Sequence, residues 1–159
     1  MIVFGIDPGS TVTGWGAVTS ERGRLRLVAA GHVRTAADQP MEERLVRIHD
    51  GLAEALERIA PEHVAIEAIF KHKSSESALR LGQARGVALL AVGRRGLHAV
   101  EYNTMTVKKT VGASGAADKD QVARVVRMLL GELPEGPADT SDALAIAITH
   151  HAHLRNRRA

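Results

Sequence analysis

The sequence predicts an α/β fold: a mixed five-stranded sheet that opens as an antiparallel meander, continues with strands alternating with helices, and is covered by those helices. Two observations carry this. Three apolar, strand-like segments follow one another with short polar links at the start of the chain, which is the pattern of a meander. Thereafter apolar residues spaced by 3 or 4 alternate with short apolar runs, the pattern of helix and strand in succession. Ile2-Val3-Phe4-Gly5-Ile6 is a strand closed by the turn Asp7-Pro8-Gly9-Ser10. Val12 to Thr19 and Leu25 to Val33 are the next two strands, joined through Ser20-Glu21-Arg22-Gly23. Pro40 opens a helix with Met41, Leu45, Ile48, Leu52, Leu56 and Ile59 on one face, and Pro61 ends it. His63 to Glu67 is a buried strand, Lys71 to Ser75 a basic loop, Glu76 to Val92 a helix and His98 to Tyr102 a strand. The segment from Thr110 to Asp118 reads as a mobile loop between helices. Helices then run from Asp120 to Leu130 and from Asp139 to Leu154, with a Pro/Gly loop from Gly131 to Ala138 between them.

At 159 residues the chain has the length of one domain, assigned to residues 1–154, with 155–159 as a short basic tail. Its 45% of hydrophobic residues suffices for a core and excludes a wholly disordered chain. Aromatics are only 3% (Phe4, Trp15, Phe70 and Tyr102), which weighs against a protein that stacks each base of a single strand on a ring. With no cysteine, disulfides, thiolate zinc sites and a cysteine nucleophile are excluded. No apolar run approaches the roughly 20 residues of a membrane helix, and a strand begins at once where a signal peptide would stand. A cytoplasmic protein is expected. The net charge is +3, but between Lys71 and Arg127 bases outnumber acids eleven to four. That asymmetry suits a basic surface offered to a polyanion, although solvated helix faces would produce it too.

Four acids form the constellation that carries chemistry. Asp7 and Glu67 end the first and fourth strands, and strand ends are where α/β proteins gather catalytic groups. If those strands are neighbours, the two carboxylates meet at one sheet edge. Asp139 and Asp142, spaced i,i+3 at the start of the last helix, share a face. Four acids together repel one another, and a divalent cation removes that cost. Paired ions can activate water and stabilise a leaving phosphate oxygen, as phosphodiester hydrolysis requires. Each acid also has a bland reading: Asp7 as a turn residue, Asp139-Thr140-Ser141-Asp142 as a variant capping box. Glu67, inside an apolar run, is the hardest to dismiss, since buried carboxylates are rarely unpaired.

Ala78, Gly82 and Gly86 recur on one helix face, and helix-interior glycine costs about 1 kcal/mol relative to alanine. Their spacing implies close approach by another element, either the protein's own sheet or a two-fold-related copy of the helix. His150, His151 and His153 near a helix C-terminus fit ordinary dipole chemistry, and His150, two turns beyond Asp142, could approach the acids. Lys108 and Lys119 flank the 110–118 loop, where an ammonium could meet a phosphate or simply be solvated.

Together the motifs resemble the RuvC Holliday-junction resolvases. The residues are Gly5-Ile6-Asp7-Pro8-Gly9-Ser10 with Thr13-Gly14-Trp15-Gly16, Ala65-Ile66-Glu67-Ala68-Ile69-Phe70, Ser77 to Gly86, and Ala138-Asp139-Thr140-Ser141-Asp142 continuing to Ala147. The resemblance covers nearly the whole chain in motif order. It implies a ribonuclease-H-like fold, a homodimer, and cutting of four-way DNA junctions in recombination and repair with Mg²⁺ or Mn²⁺, two ions per active site. It further implies metal-binding catalytic roles for Asp7, Glu67, Asp139 and Asp142. Phe70 is implied to stack on a base, and Lys108 and Lys119 to act at the scissile and neighbouring phosphates, with Lys119 also counted as catalytic. Lys71 and Arg80 are counted with the DNA contacts, and a branch-migration complex of RuvA and RuvB type proteins is the implied partner. One departure is Val111-Gly112-Ala113 after Thr110, where many relatives have Val-Val-Gly.

Two other classes compete. Asp7-Pro8-Gly9-Ser10-Thr11 also resembles the phosphate loop of the actin and sugar-kinase superfamily, but an ATP-dependent phosphotransferase needs a second such loop and a nucleotide-binding half. A junction-binding protein without catalysis would ignore divalent metal and substitutions at the acids.

Overall fold

In a computed structural model, residues 1–68, 74–112 and 118–157 are described. The first strand, β1 (Val3–Asp7), pairs antiparallel with β2 (Val12–Glu21), which pairs antiparallel with β3 (Arg24–Arg34). Helix α1 (Met41–Ile59) then crosses to β4 (His63–Glu67), which lies parallel to β1, and α2 (Ser75–Arg94) crosses to β5 (Ala99–Tyr102), parallel to β4. The order is β3-β2-β1-β4-β5. The mixed five-stranded sheet is therefore as the sequence predicts, meander first and parallel strands after. Three helices follow: α3 (Thr104–Thr110), α4 (Lys119–Leu130) and α5 (Ala138–Asn156). The last includes the first two residues of the expected basic tail.

Strand alternation divides the core in two. Phe4 and Ile6 of β1, Trp15 and Ala17 of β2, and Val64 and Ile66 of β4 face α1 and α2, packing with Ile48, Leu52, Leu56, Ala84 and Ala88. The alternate residues Val3, Val18 and Ala65 face α5, with Val107 of α3 and Val122 and Val126 of α4 closing that side. Burial in α5 is nearly all round, from Ala143 to His151 without a break, as befits a helix enclosed by protein. It lies close on the sheet because the sheet is stripped of side chains beneath it. A Cβ on Gly5 would stand 2.1 Å from the Ala143 carbonyl oxygen, one on Gly14 2.0 Å from that of Asp139, and one on Gly16 2.6 Å from the Leu144 side chain. Gly5 and Gly16 are register partners, and Gly14 pairs with Asp7, so the three glycines form one groove.

Some details depart from the sequence pattern. The buried face of α1 includes Arg44, whose guanidinium donates to the Ser10 carbonyl at 2.7 Å and thereby clamps the turn after β1. Helix α4 starts on a reciprocal capping box, Asp118 accepting from the Gln121 N–H and Gln121 from that of Asp118. By contrast, α5 has Pro137 at its N-cap and no side-chain cap, so Asp139 and Asp142 do not form the capping box considered for them. Most of the 110–118 loop lies outside the described residues.

Candidate active site

Because β1 and β4 are parallel neighbours, their C-terminal ends meet at one edge of the sheet and bring Asp7 and Glu67 there together. Both occupy the face that packs on α5, since Asp7 follows Val3 and Gly5 by steps of two and Glu67 follows Ala65. The glycine groove lowers the first turn of α5 onto that edge, and Asp139 and Asp142 arrive with it. All four acids line one cleft of about 340 Å³, with Thr104, Val107 and Lys108 of α3, Val122 of α4, and Ala145 and Ile146 as its other walls.

Asp7 is buried, 8% exposed, while Glu67, Asp139 and Asp142 are half-buried around it. Removal from water, then the negative charges of Glu67 and Asp142, a hydrogen bond with Glu67 and the charge of Asp139 together push the Asp7 pKa well above the carboxylate range. The turn behind Asp7 is closed by another residue: Thr13 Oγ1 donates to the Gly9 carbonyl at 2.8 Å and accepts from the Gly9 N–H at 3.3 Å. Glu67 is held at two points. Thr104 Oγ1 donates to its Oε1 at 2.8 Å, and Arg85 Nε, on a guanidinium paired with Glu101, reaches its carbonyl oxygen at 3.4 Å. Thr104 lies in no periodic pattern or recognised motif, and Arg85, though inside the Ser77 to Gly86 motif, gives no sign in the sequence that it reaches Glu67.

Half-buried Lys108 stands in the cleft wall. Lys119 opens α4, but its side chain is outside the described residues, as are Phe70 and Lys71 entirely. Arg80 is on α2, paired with Glu76 one turn away rather than lining the cleft. His150 does not join the acids; its Nδ1 lies 2.9 Å from the Tyr102 hydroxyl, and its ring packs edge-on against His63. Burial first, then the neighbouring His63, push its pKa down to about 4, so it is neutral and the helix-dipole reading fails for it.

The donor set is all oxygen, which is what Mg²⁺ and Mn²⁺ select. Among the described residues no group of three or more His, Asp or Glu side chains is already drawn together as a cage. Chemically, the cleft can gather cations at a buried carboxylate and present an ammonium to an anion beside them.

The chain matches the family described as crossover junction endodeoxyribonuclease RuvC over residues 3–150. Proteins of that description from Rhodopseudomonas palustris (strain TIE-1) and Anaeromyxobacter sp. (strain Fw109-5) are each 48% identical to it. The first alignment covers 95% of this chain and 87% of the relative, the second 100% and 77%. Among solved structures, T. thermophilus RuvC in complex with a Holliday junction substrate superposes with a TM-score of 0.88 at 37% identity, over 98% of this chain and 96% of that one. The yeast mitochondrial Holliday junction resolvase shares the fold, at a TM-score of 0.66 and 16% identity, over 98% of this chain and 81% of that one.

Proposed function

The chain belongs to the RuvC family of crossover junction endodeoxyribonucleases and is a Holliday junction resolving endonuclease; from that premise we propose that it cuts by metal-assisted hydrolysis at Asp7, Glu67, Asp139 and Asp142. The observation that carries the assignment is buried Asp7, ringed by three further carboxylates in a cleft that also holds Lys108. The family is divalent-metal dependent, and here the ions are Mg²⁺ or Mn²⁺, two to a site. Bound there, they supply a water of lowered pKa and stabilise the departing oxygen of an in-line displacement. Asp7 would be the central metal-holding carboxylate, because its burial leaves its charge without water and most in need of a cation. Glu67 and Asp142 would hold the ions with it, and Asp139 would ligate or orient water. Lys108 meets a phosphate oxygen in the cleft, and Lys119 offsets charge developing on the phosphate. Phe70 stacks on a base, with Lys71 and Arg80 on the backbone.

We propose further that two copies act as a homodimer, each cutting one strand of a nearly two-fold junction. Support comes from α2, where Leu79 is 64% and Leu90 52% exposed, and a Cβ at Gly82, Gly86 or Gly93 would meet nothing within 4 Å. The glycines thus do not serve the protein's own sheet. Partnership with a branch-migration complex of RuvA and RuvB type proteins and a cytoplasmic location rest on family membership. Among the described residues no helix is long and apolar enough to cross a membrane.

The test is strand-by-strand cleavage of a synthetic mobile four-way junction, run beside linear duplex and metal-free buffer. Paired symmetric nicks are expected only on the junction and only with metal. Asp7→Asn should abolish cutting and keep junction binding; loss of both together would count against this assignment. Binding without nicks in Mg²⁺ or Mn²⁺ would favour a purely binding role.

A further inference from the structure

We infer that Thr104 is a positioning residue for metal binding: its hydroxyl fixes the Glu67 carboxylate in the orientation in which it ligates. The inference rests on the proposed role of Glu67. A glutamate side chain ends in a broad, weakly restrained torsion, and a ligand that must be frozen on binding weakens the site by the freedom it loses. Glu67 is half-buried and lies between two partners, Asp7 on one side and Thr104 on the other, whose Oγ1 donates to Oε1 at 2.8 Å. The Thr104 bond occupies one lone pair of Oε1, and the carboxylate's other lone pairs become available to a cation once the proton shared with Asp7 is displaced.

The hydroxyl is not committed to the helix it begins. Asn103 caps α3, accepting from the Thr106 N–H at 2.8 Å. Thr110 and Thr149 illustrate the usual use of a helical threonine, each donating to the carbonyl four residues back, at 2.9 and 2.8 Å. As the first residue of α3, Thr104 has no preceding helical turn to bond. Its backbone is fixed in turn: Tyr102, register partner of Glu67, accepts the Ala68 N–H at 2.9 Å, so β4 and β5 remain paired up to the two residues before Thr104. Strand pairing therefore sets where the hydroxyl stands relative to the carboxylate.

Mn²⁺ binding to the metal-free protein, followed by calorimetry, tests this in wild type, Thr104→Val, Thr104→Ser, Glu67→Gln and the Glu67→Gln/Thr104→Val pair. Thr104→Val keeps the shape and β-branching but loses the donor; it should weaken Mn²⁺ about tenfold, the lower end for a residue behind a ligand, whereas Thr104→Ser should stay within about twofold of wild type. The Mg²⁺ concentration for half-maximal cleavage should move in parallel, with junction binding in EDTA unchanged. In the Glu67→Gln background Thr104→Val should add nothing, because the two act as one unit. Wild-type affinity in Thr104→Val beside weak binding in Glu67→Gln would overturn the inference and leave Glu67 a ligand. Equal weakening in Thr104→Val and Thr104→Ser with lowered melting temperatures would overturn it in favour of damage to α3. Unchanged affinity in Glu67→Gln would instead refute the reading of Glu67 itself.

Discussion

At Asp7, burial and neighbouring charge act in the same direction, and both disfavour the ionised form. With its folded-state pKa raised above the unfolded value, the residue contributes stability that is fully present below the unfolded pKa and is lost as pH rises through the folded one. Metal-free Asp7→Asn should therefore melt above wild type at neutral pH, and the gap should close on acidification towards pH 4 or when Mg²⁺ is added to wild type. Thermal melts across pH, with and without metal, measure it. His150 has the opposite sign: its folded pKa, about 4, is depressed, so its contribution is present above the unfolded value of about 6.5 and lost as pH falls towards 4. His150→Gln should flatten the acid limb of the stability profile between those limits. The four acids were legible in the sequence because a carboxylate within an apolar run, or beside another at i+3, stands out from its surroundings. Arg44 was not, since its place between Leu45 and the exposed side of α1 gives no sign that the Ser10 carbonyl draws it inside. Thr104 was not, because a hydroxyl leaves no periodic trace.

Elements rather than residues decide whether the acids meet. The first turn of α5 reaches Asp7 only across the groove of Gly5, Gly14 and Gly16, and at Gly14 a Cβ would stand 2.0 Å from the Asp139 carbonyl oxygen. Backbone cannot yield as a flexible side chain does. Gly14→Ala should lower stability by about 3 kcal/mol, at the upper end of overpacking costs, and reduce cleavage at least about 100-fold, the loss expected when positioned groups shift by an ångström. Denaturant melts and single-turnover cleavage with saturating Mg²⁺ would separate the two effects. Strands and long helices were readable to within a residue or two, because alternation and 3–4 spacing persist over enough positions. Helix α3 was not delimited: seven residues make less than two full turns, and only Val107 of them is buried. The start of α5 was open to misreading for a local reason. Its Asp-Thr-Ser-Asp run offers capping chemistry, whereas Pro137, with an extended backbone and fixed φ, begins the helix instead.

For the whole molecule, sequence pattern supplied the strands but left their order conditional; the crossing through α1, from β3 past β2 and β1, places β4 beside β1 and settles where the acids lie. The exposed stripe of α2 belongs to this scale as well, because glycines inside a helix that meet nothing within their own chain cost helix stability without serving its packing. Leu90→Arg should convert the proposed dimer to monomer in light scattering at micromolar concentration, while the melting temperature changes little, Leu90 being 52% exposed. The dispersal of the acids has a further consequence in time. Asp7 and Glu67 are made in the first half of the chain, Asp139 and Asp142 near its end, on the helix that must fill the glycine groove. Protein is synthesised from the N-terminus at about 5–20 residues per second, so for several seconds the ribosome carries a sheet whose catalytic complement is still missing. A translation product that stalls before Ala138 lacks two of the four carboxylates and, on this assignment, carries no complete site to cut DNA with.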